Sequence, residues 1–121
     1  MPEPSLMRLR EILIGFARKK NTVTYNELAI AFEMPPPHRI HRLTLMLEDL
    51  VREDHTADLP LLAAVAVSRG HEGIPGRGFF QLLAELGHYQ GPDRGAEAAI
   101  WHQRELSELF ALHEQGEKTH S

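Results

Sequence analysis

The chain has 121 residues, 42% of them apolar and 25% charged, which suits one domain with a buried core and argues against global disorder. It has no cysteine, so disulfides, thiolate catalysis and cysteine-ligated zinc are excluded, and a reducing compartment fits. A net charge of −4 disfavours indiscriminate binding to phosphate backbones.

After a short proline-bearing lead, Ser5 caps a predicted helix from Leu6 to about Lys19. Leu6, Leu9, Ile12, Leu13 and Phe16 form its buried stripe, and Arg8, Glu11 and Arg18 face water. Asn21 releases the chain into Thr22 and Val23. Thr24 and Glu27 then have the spacing of a capping box, and Val23 and Leu28 that of a hydrophobic staple. The second helix carries Leu28, Ala29, Ala31 and Phe32, and stops at Pro35, Pro36 and Pro37. A third helix is predicted from about Pro37 to Arg52, buried along Ile40, Leu43, Leu47, Leu50 and Val51. Together these two helices read as a helix-turn-helix. The acidic tail from Glu48 to Asp58 reads as a helix end passing into a loop.

Leu59 to Val67 is the most apolar run and reads as a mostly buried strand. Ser68 to Gly78, with four glycines and Pro75, reads as a turn or wing with a weak second strand near Gly73–Ile74. Phe79 to Leu86 is a predicted short helix closed by Gly87. A loop over 88–95 leads into a final helix from about Ala96 to Gln115, with Ile100, Leu106, Leu109, Phe110 and His113 near one face, and Gly116 closing it. The tail Glu117–Ser121 is expected to fray. The expected fold class is mainly α with a small β element, a winged helix-turn-helix-like single domain spanning 1–121. Its core covers about 5–87, and the C-terminal helix is added to it.

Charge is divided along the chain. Residues 1–47 hold seven Lys/Arg against four acids, and residues 48–121 hold six against thirteen. His38, Arg39, His41 and Arg42 fall in the first turns of the third helix. There a recognition helix meets a groove or phosphates, although a solvated helix face has the same pattern. Arg69, His71 and Arg77 flank the glycine turn and could position a sugar-phosphate backbone, or simply border a structural turn. His38 and His41 have the spacing of a metal pair but no third ligand, so no metal and no cofactor is expected. Trp101 and Leu112 flank the stripe of the last helix and are candidates for a homodimer or partner contact. His88, His102, His113 and His120 read as surface histidines.

The apolar first helix, the segment Thr22-Val-Thr-Tyr-Asn-Glu-Leu-Ala29, the prolines, the arginine-bearing helix and the Leu59-Pro60 run into valines form an ordered set. It resembles the DNA-binding domain of the alkylguanine-DNA alkyltransferases and their cysteine-less alkyltransferase-like relatives, over roughly Leu6 to Leu86. That resemblance implies a winged helix-turn-helix and a Tyr25 hydroxyl on the DNA backbone. Asn26 stands where the family has glycine. Aligning apolar positions places His38 at the family's recognition arginine, and aligning by residue type places Arg39 there. Pro60-Leu61-Leu62-Ala63 occupies the place of the family's Pro-Cys-His-Arg motif, so alkyl transfer is excluded on chemistry. The chain is also similar to uncharacterised small bacterial proteins with a Pro-Leu…Gly-x-Pro-Gly-x-Gly-Phe segment, here Pro60-Leu61 and Gly73 to Phe79.

No paired carboxylates, nucleophile–base set or metal spacing points to an enzyme. The expected function is a non-enzymatic module that binds nucleic acid, DNA first, through Tyr25, His38, Arg39, Arg42, Arg69 and Arg77. The alternative is a protein-interaction module that keeps the fold. No membrane segment is expected, and the cytoplasm is the default location.

Overall fold

The computed structural model describes residues 4–117, with side chains as far as Glu114. The lead Met1–Glu3 and the tail 118–121, including His120, lie outside the described residues. The fold is mainly helical, with a two-stranded parallel sheet.

Helix α1 runs from Leu6 to Arg18, and the Ser5 hydroxyl accepts from the Arg8 amide at 3.0 Å. Its Leu9, Leu13 and Ala17 are buried, and the helix packs on the C-terminal helix and on the apolar segment that follows α3. Strand β1 is Val23–Thr24, and Thr24 caps α2, Tyr25–Ala31. Both capping-box bonds form at 3.1 Å, and Val23 and Leu28 are both buried, as the sequence predicts. Phe32 and Met34 continue inward before the prolines turn the chain.

Helix α3 spans Arg39–Thr56, starting later and ending later than the sequence suggests. His38 precedes it with φ 58°, so the turn occupies Pro37 and His38 and the helix cannot start there. Ile40 is exposed rather than buried, because the core face begins at Leu43. The acidic tail stays helical as far as Thr56 and leaves the helix only at Ala57 and Asp58, since Asp54 points inward and finds partners there. Its carboxylate accepts from Arg10 Nη1 at 2.9 Å and from the Leu62 amide at 3.1 Å.

Leu59 to Val67 departs most from expectation. Residues 61–67 are all buried, but Leu62–Val65 is a 3₁₀ turn, and only Ala66–Val67, strand β2, is extended. β2 pairs in parallel with β1, Val23 opposite Ala66 and Thr24 opposite Val67. Elsewhere side chains satisfy part of the segment's polar backbone. The Leu61 amide donates to Glu105 Oε2 at 2.7 Å, and His102 Nε2 donates to the Ala64 carbonyl at 2.8 Å. An apolar run cannot reveal that its hydrogen bonds come from a helix some 44 residues on.

Ser68 and Ile74 form an antiparallel bridge around a short 3₁₀ turn at Arg69–His71. Glu72 and Gly73 turn the chain back with φ 61° and 72°. Glu72 then accepts from the amide of Gly95, the first residue of α5, and the His71 ring donates to the Asp93 carbonyl. Helix α4 is Arg77–Leu86, ended by Gly87 at φ 71°, so Arg77 opens a helix and lies outside the glycine turn. Helix α5 is Gly95–Glu117 and continues past Gly116. Ala98, His102, Glu105, Leu106 and Leu109 form its buried face, while Ile100 is exposed. One hydrophobic cluster draws on all five helices. Among the described residues no buried side-chain nitrogen or oxygen lacks a hydrogen-bond partner.

Asp54→Ala is expected to cost about 3 kcal/mol in chemical denaturation, because it strands the buried Leu62 amide and takes from Arg10 the buried one of its two carboxylate partners. Burial holds the His102 pKa below the ordinary histidine value, against the Ala64 carbonyl, which raises it. The unfolded chain therefore takes up that proton first. Stability contributed by neutral His102 is complete above about pH 6.5 and is lost as pH falls through the depressed folded value. Stability measured between pH 7.5 and 5 should decline, and His102→Gln should flatten that decline.

Candidate nucleic-acid interface

The start of α3 presents His38, Arg39 and His41 to solvent. Arg39 has no ion pair or hydrogen bond among the described residues. Arg42 is half-buried and committed: its Nη1 donates to the Pro35 carbonyl at 2.9 Å and holds the proline turn against the helix. The guanidinium has N–H donors left over for a ligand. Backbone amides of the first turn point the same way, and the 18-residue helix adds its positive end.

Tyr25 does more than the sequence suggests. Its hydroxyl accepts from the Gly76 amide at 2.8 Å, and its ring packs where a Cβ at Gly76 would sit, 3.5 Å from Cε2. Desolvation raises its pKa, and the bond from Gly76 opposes that rise. Tyr25 thus tethers the start of α2 to the loop before α4, with the hydroxyl hydrogen left to donate.

Two open grooves flank α2, and Asn26 borders both. One, about 470 Å³, is lined by Thr24, Tyr25, Glu27, Ile40, Ser68 and Arg69 among others. The second, about 610 Å³, is lined by Ile30, Glu33, Pro35 and Arg39 among others. The fold therefore brings Tyr25 and Arg69 to one groove and Arg39 to its neighbour. Arg69 faces Glu27 Oε2 at 3.8 Å across two exposed side chains, a contact of little energetic weight. Arg77 is paired elsewhere, 3.6 Å from Asp93 Oδ2. Glu33 lies against Arg8, which also donates to the Phe32 carbonyl. Asn26, Ile40 and Ser68 are groove residues that sequence reasoning missed, because exposed polar and isolated apolar positions carry no local signal.

Trp101 is half-buried in an aromatic cluster with Phe79, Phe80, His88 and Tyr89, at centroid distances of 5.9, 5.9, 6.3 and 5.2 Å. Leu112 does remain exposed. His88 and His102 are not simple surface histidines: His102 is buried on Ala64, and half-buried His88 meets His55.

Tyr25→Phe removes the acceptor of the Gly76 amide and is expected to lower stability by about 1 kcal/mol in denaturant titration, without altering helix content. Among the described residues no helix is long and apolar enough to cross a membrane, and no group of three or more His, Asp or Glu is placed to hold a metal ion. In comparison with known proteins, the chain matches no family model, no curated protein and no solved structure.

Proposed function

We propose that this chain is a non-enzymatic nucleic-acid-binding module of winged helix-turn-helix character, with duplex DNA as its first ligand. The observation that carries this reading is the exposed, unpaired Arg39 between His38 and His41 at the amide end of α3. Arg42, fixed on Pro35, gives that end a second positive charge in a defined place. α2 packs against α3 as the first helix of such a motif would, and the Ser68–Ile74 bridge makes the base of a short wing. In this arrangement Arg39, Arg42 and the helix amides take phosphates, while Arg69 and the Tyr25 hydroxyl reach the backbone from beside the wing. Arg77 belongs to the structural pair with Asp93 and contributes least. Leu61, Leu62 and Ala63, which by that resemblance stand with Pro60 at the nucleophile motif of the alkyltransferases, are buried, so the DNA role here would be binding without repair chemistry.

A second reading rests on one specific observation. Ile30 and Ile40, 68% and 40% exposed, border the two grooves on either side of Asn26. A protein partner would cover them, and a phosphate backbone would not.

Fluorescence anisotropy with labelled duplex and single-stranded DNA at low salt separates the two. Binding should fall steeply with added salt. Arg39→Ala should weaken it and reduce the slope of log K against log salt by about 1. Absence of binding at low salt, or an unchanged slope in a folded Arg39→Ala variant, would favour the protein-partner reading.

A further inference from the structure

Away from α3's first turns, the opposite end of the same helix carries a second arrangement. His55, in the last turn of α3, meets His88, just after α4, with their Nδ1 atoms 2.9 Å apart. The rings lie edge to face, centroids 5.1 Å apart. Both are half-buried, and the Trp101 ring stands nearly perpendicular to His88, 6.3 Å away between centroids.

We propose that His55 and His88 form a two-histidine site for a divalent transition cation of the Cu²⁺ or Ni²⁺ class. Metal–imidazole bonds are about 2.0–2.1 Å long, so two nitrogens at right angles on one ion lie about 2.9 Å apart, against about 3.3 Å on a tetrahedral ion. The observed separation matches the right-angled arrangement, which Cu²⁺ and Ni²⁺ favour with nitrogen ligands. One further feature supports a cation here: His55 lies at the carbonyl end of an 18-residue helix, the negative end of its dipole. Without metal, one Nδ1 carries a proton and donates to the other. Binding moves that proton to Nε2 of the same ring, so both Nδ1 lone pairs face the ion and no net proton is lost. No third protein ligand joins them among the described residues, so water completes the coordination.

The test is a titration of the full-length chain with CuCl₂, NiCl₂ and MgCl₂ near neutral pH, read by calorimetry and by fluorescence of Trp101, the sole tryptophan. One equivalent of Cu²⁺ should bind saturably and quench Trp101, Ni²⁺ more weakly, and Mg²⁺ not at all. Folded His55→Gln and His88→Gln variants should each weaken Cu²⁺ binding at least tenfold, while the His38→Ala/His41→Ala variant should bind as wild type. Electron paramagnetic resonance of the Cu²⁺-loaded wild type needs no variant and should report two equatorial imidazole nitrogens. Absent or unsaturable binding, one imidazole nitrogen or none, or loss of binding in the His38/His41 variant instead, would overturn the site and leave a plain imidazole–imidazole hydrogen bond.

Discussion

Three buried polar side chains hold the backbone of one buried segment, and the rest of the structure depends on that grip. Asp54 from α3 takes the Leu62 amide, Glu105 from α5 takes the Leu61 amide, and His102 from α5 serves the Ala64 carbonyl. Leaving those backbone groups unpaired at zero to two per cent exposure would cost about 1–3 kcal/mol each. Arg10 of α1 completes the arrangement through Asp54 and Glu53. Three helices are thus fixed to a segment that is too irregular to satisfy itself. Electrostatic cost remains in the cluster. Burial raises the Glu105 pKa against the bond from Leu61, and nearby Glu108 and Asp54 raise it further. Arg10 shows the opposite balance: burial would lower its pKa, but the bonds to Glu53 and Asp54 outweigh burial and raise it.

From that anchor the candidate interface follows by short steps. The segment ends in β2, which aligns β1 through two residue pairs. β1 ends in Thr24, whose hydroxyl and amide cap α2, and Glu27 completes the cap with a carboxylate whose pKa is lowered chiefly by the Thr24 backbone bond. Tyr25 then ties α2 to Gly76. The angle between α2 and α3, and hence the place of Arg39, is inherited from packing around the buried segment. On the far side, the Glu72–Gly95 and His71–Asp93 bonds fasten the Ser68–Ile74 turn to the start of α5. The grooves beside α2 are therefore framed by fixed elements.

Local chemistry was readable in the sequence, and long-range chemistry was not. The Ser5 cap, the Thr24–Glu27 box and the Gly87 stop involve residues within a turn of one another, and each stands where the pattern places it. Leu59–Val67 misled because apolarity reports burial, and burial alone does not choose between a strand and a 3₁₀ turn served by distant side chains. The acidic end of α3 misled for the converse reason: Asp54 looks like surface until Arg10 and Leu62 are beside it. Ile40 and Ile100 fit a helical period yet face solvent, because no partner element covers those sides. At the candidate interface, the exposure of Arg39 was legible from its place on the helix face opposite Leu43 and Leu47. The commitments of Arg42 to Pro35 and Arg77 to Asp93 needed coordinates, since a sequence does not say where a long cation's acceptor lies.

Native-state hydrogen exchange at the Leu61 and Leu62 amides tests the central claim most directly. The account places both among the slowest non-helical amides, opening only with global unfolding and sharing its denaturant dependence. Fast exchange at either amide, through local opening insensitive to denaturant, would contradict it, and the order of α2 and α3 would then need another cause.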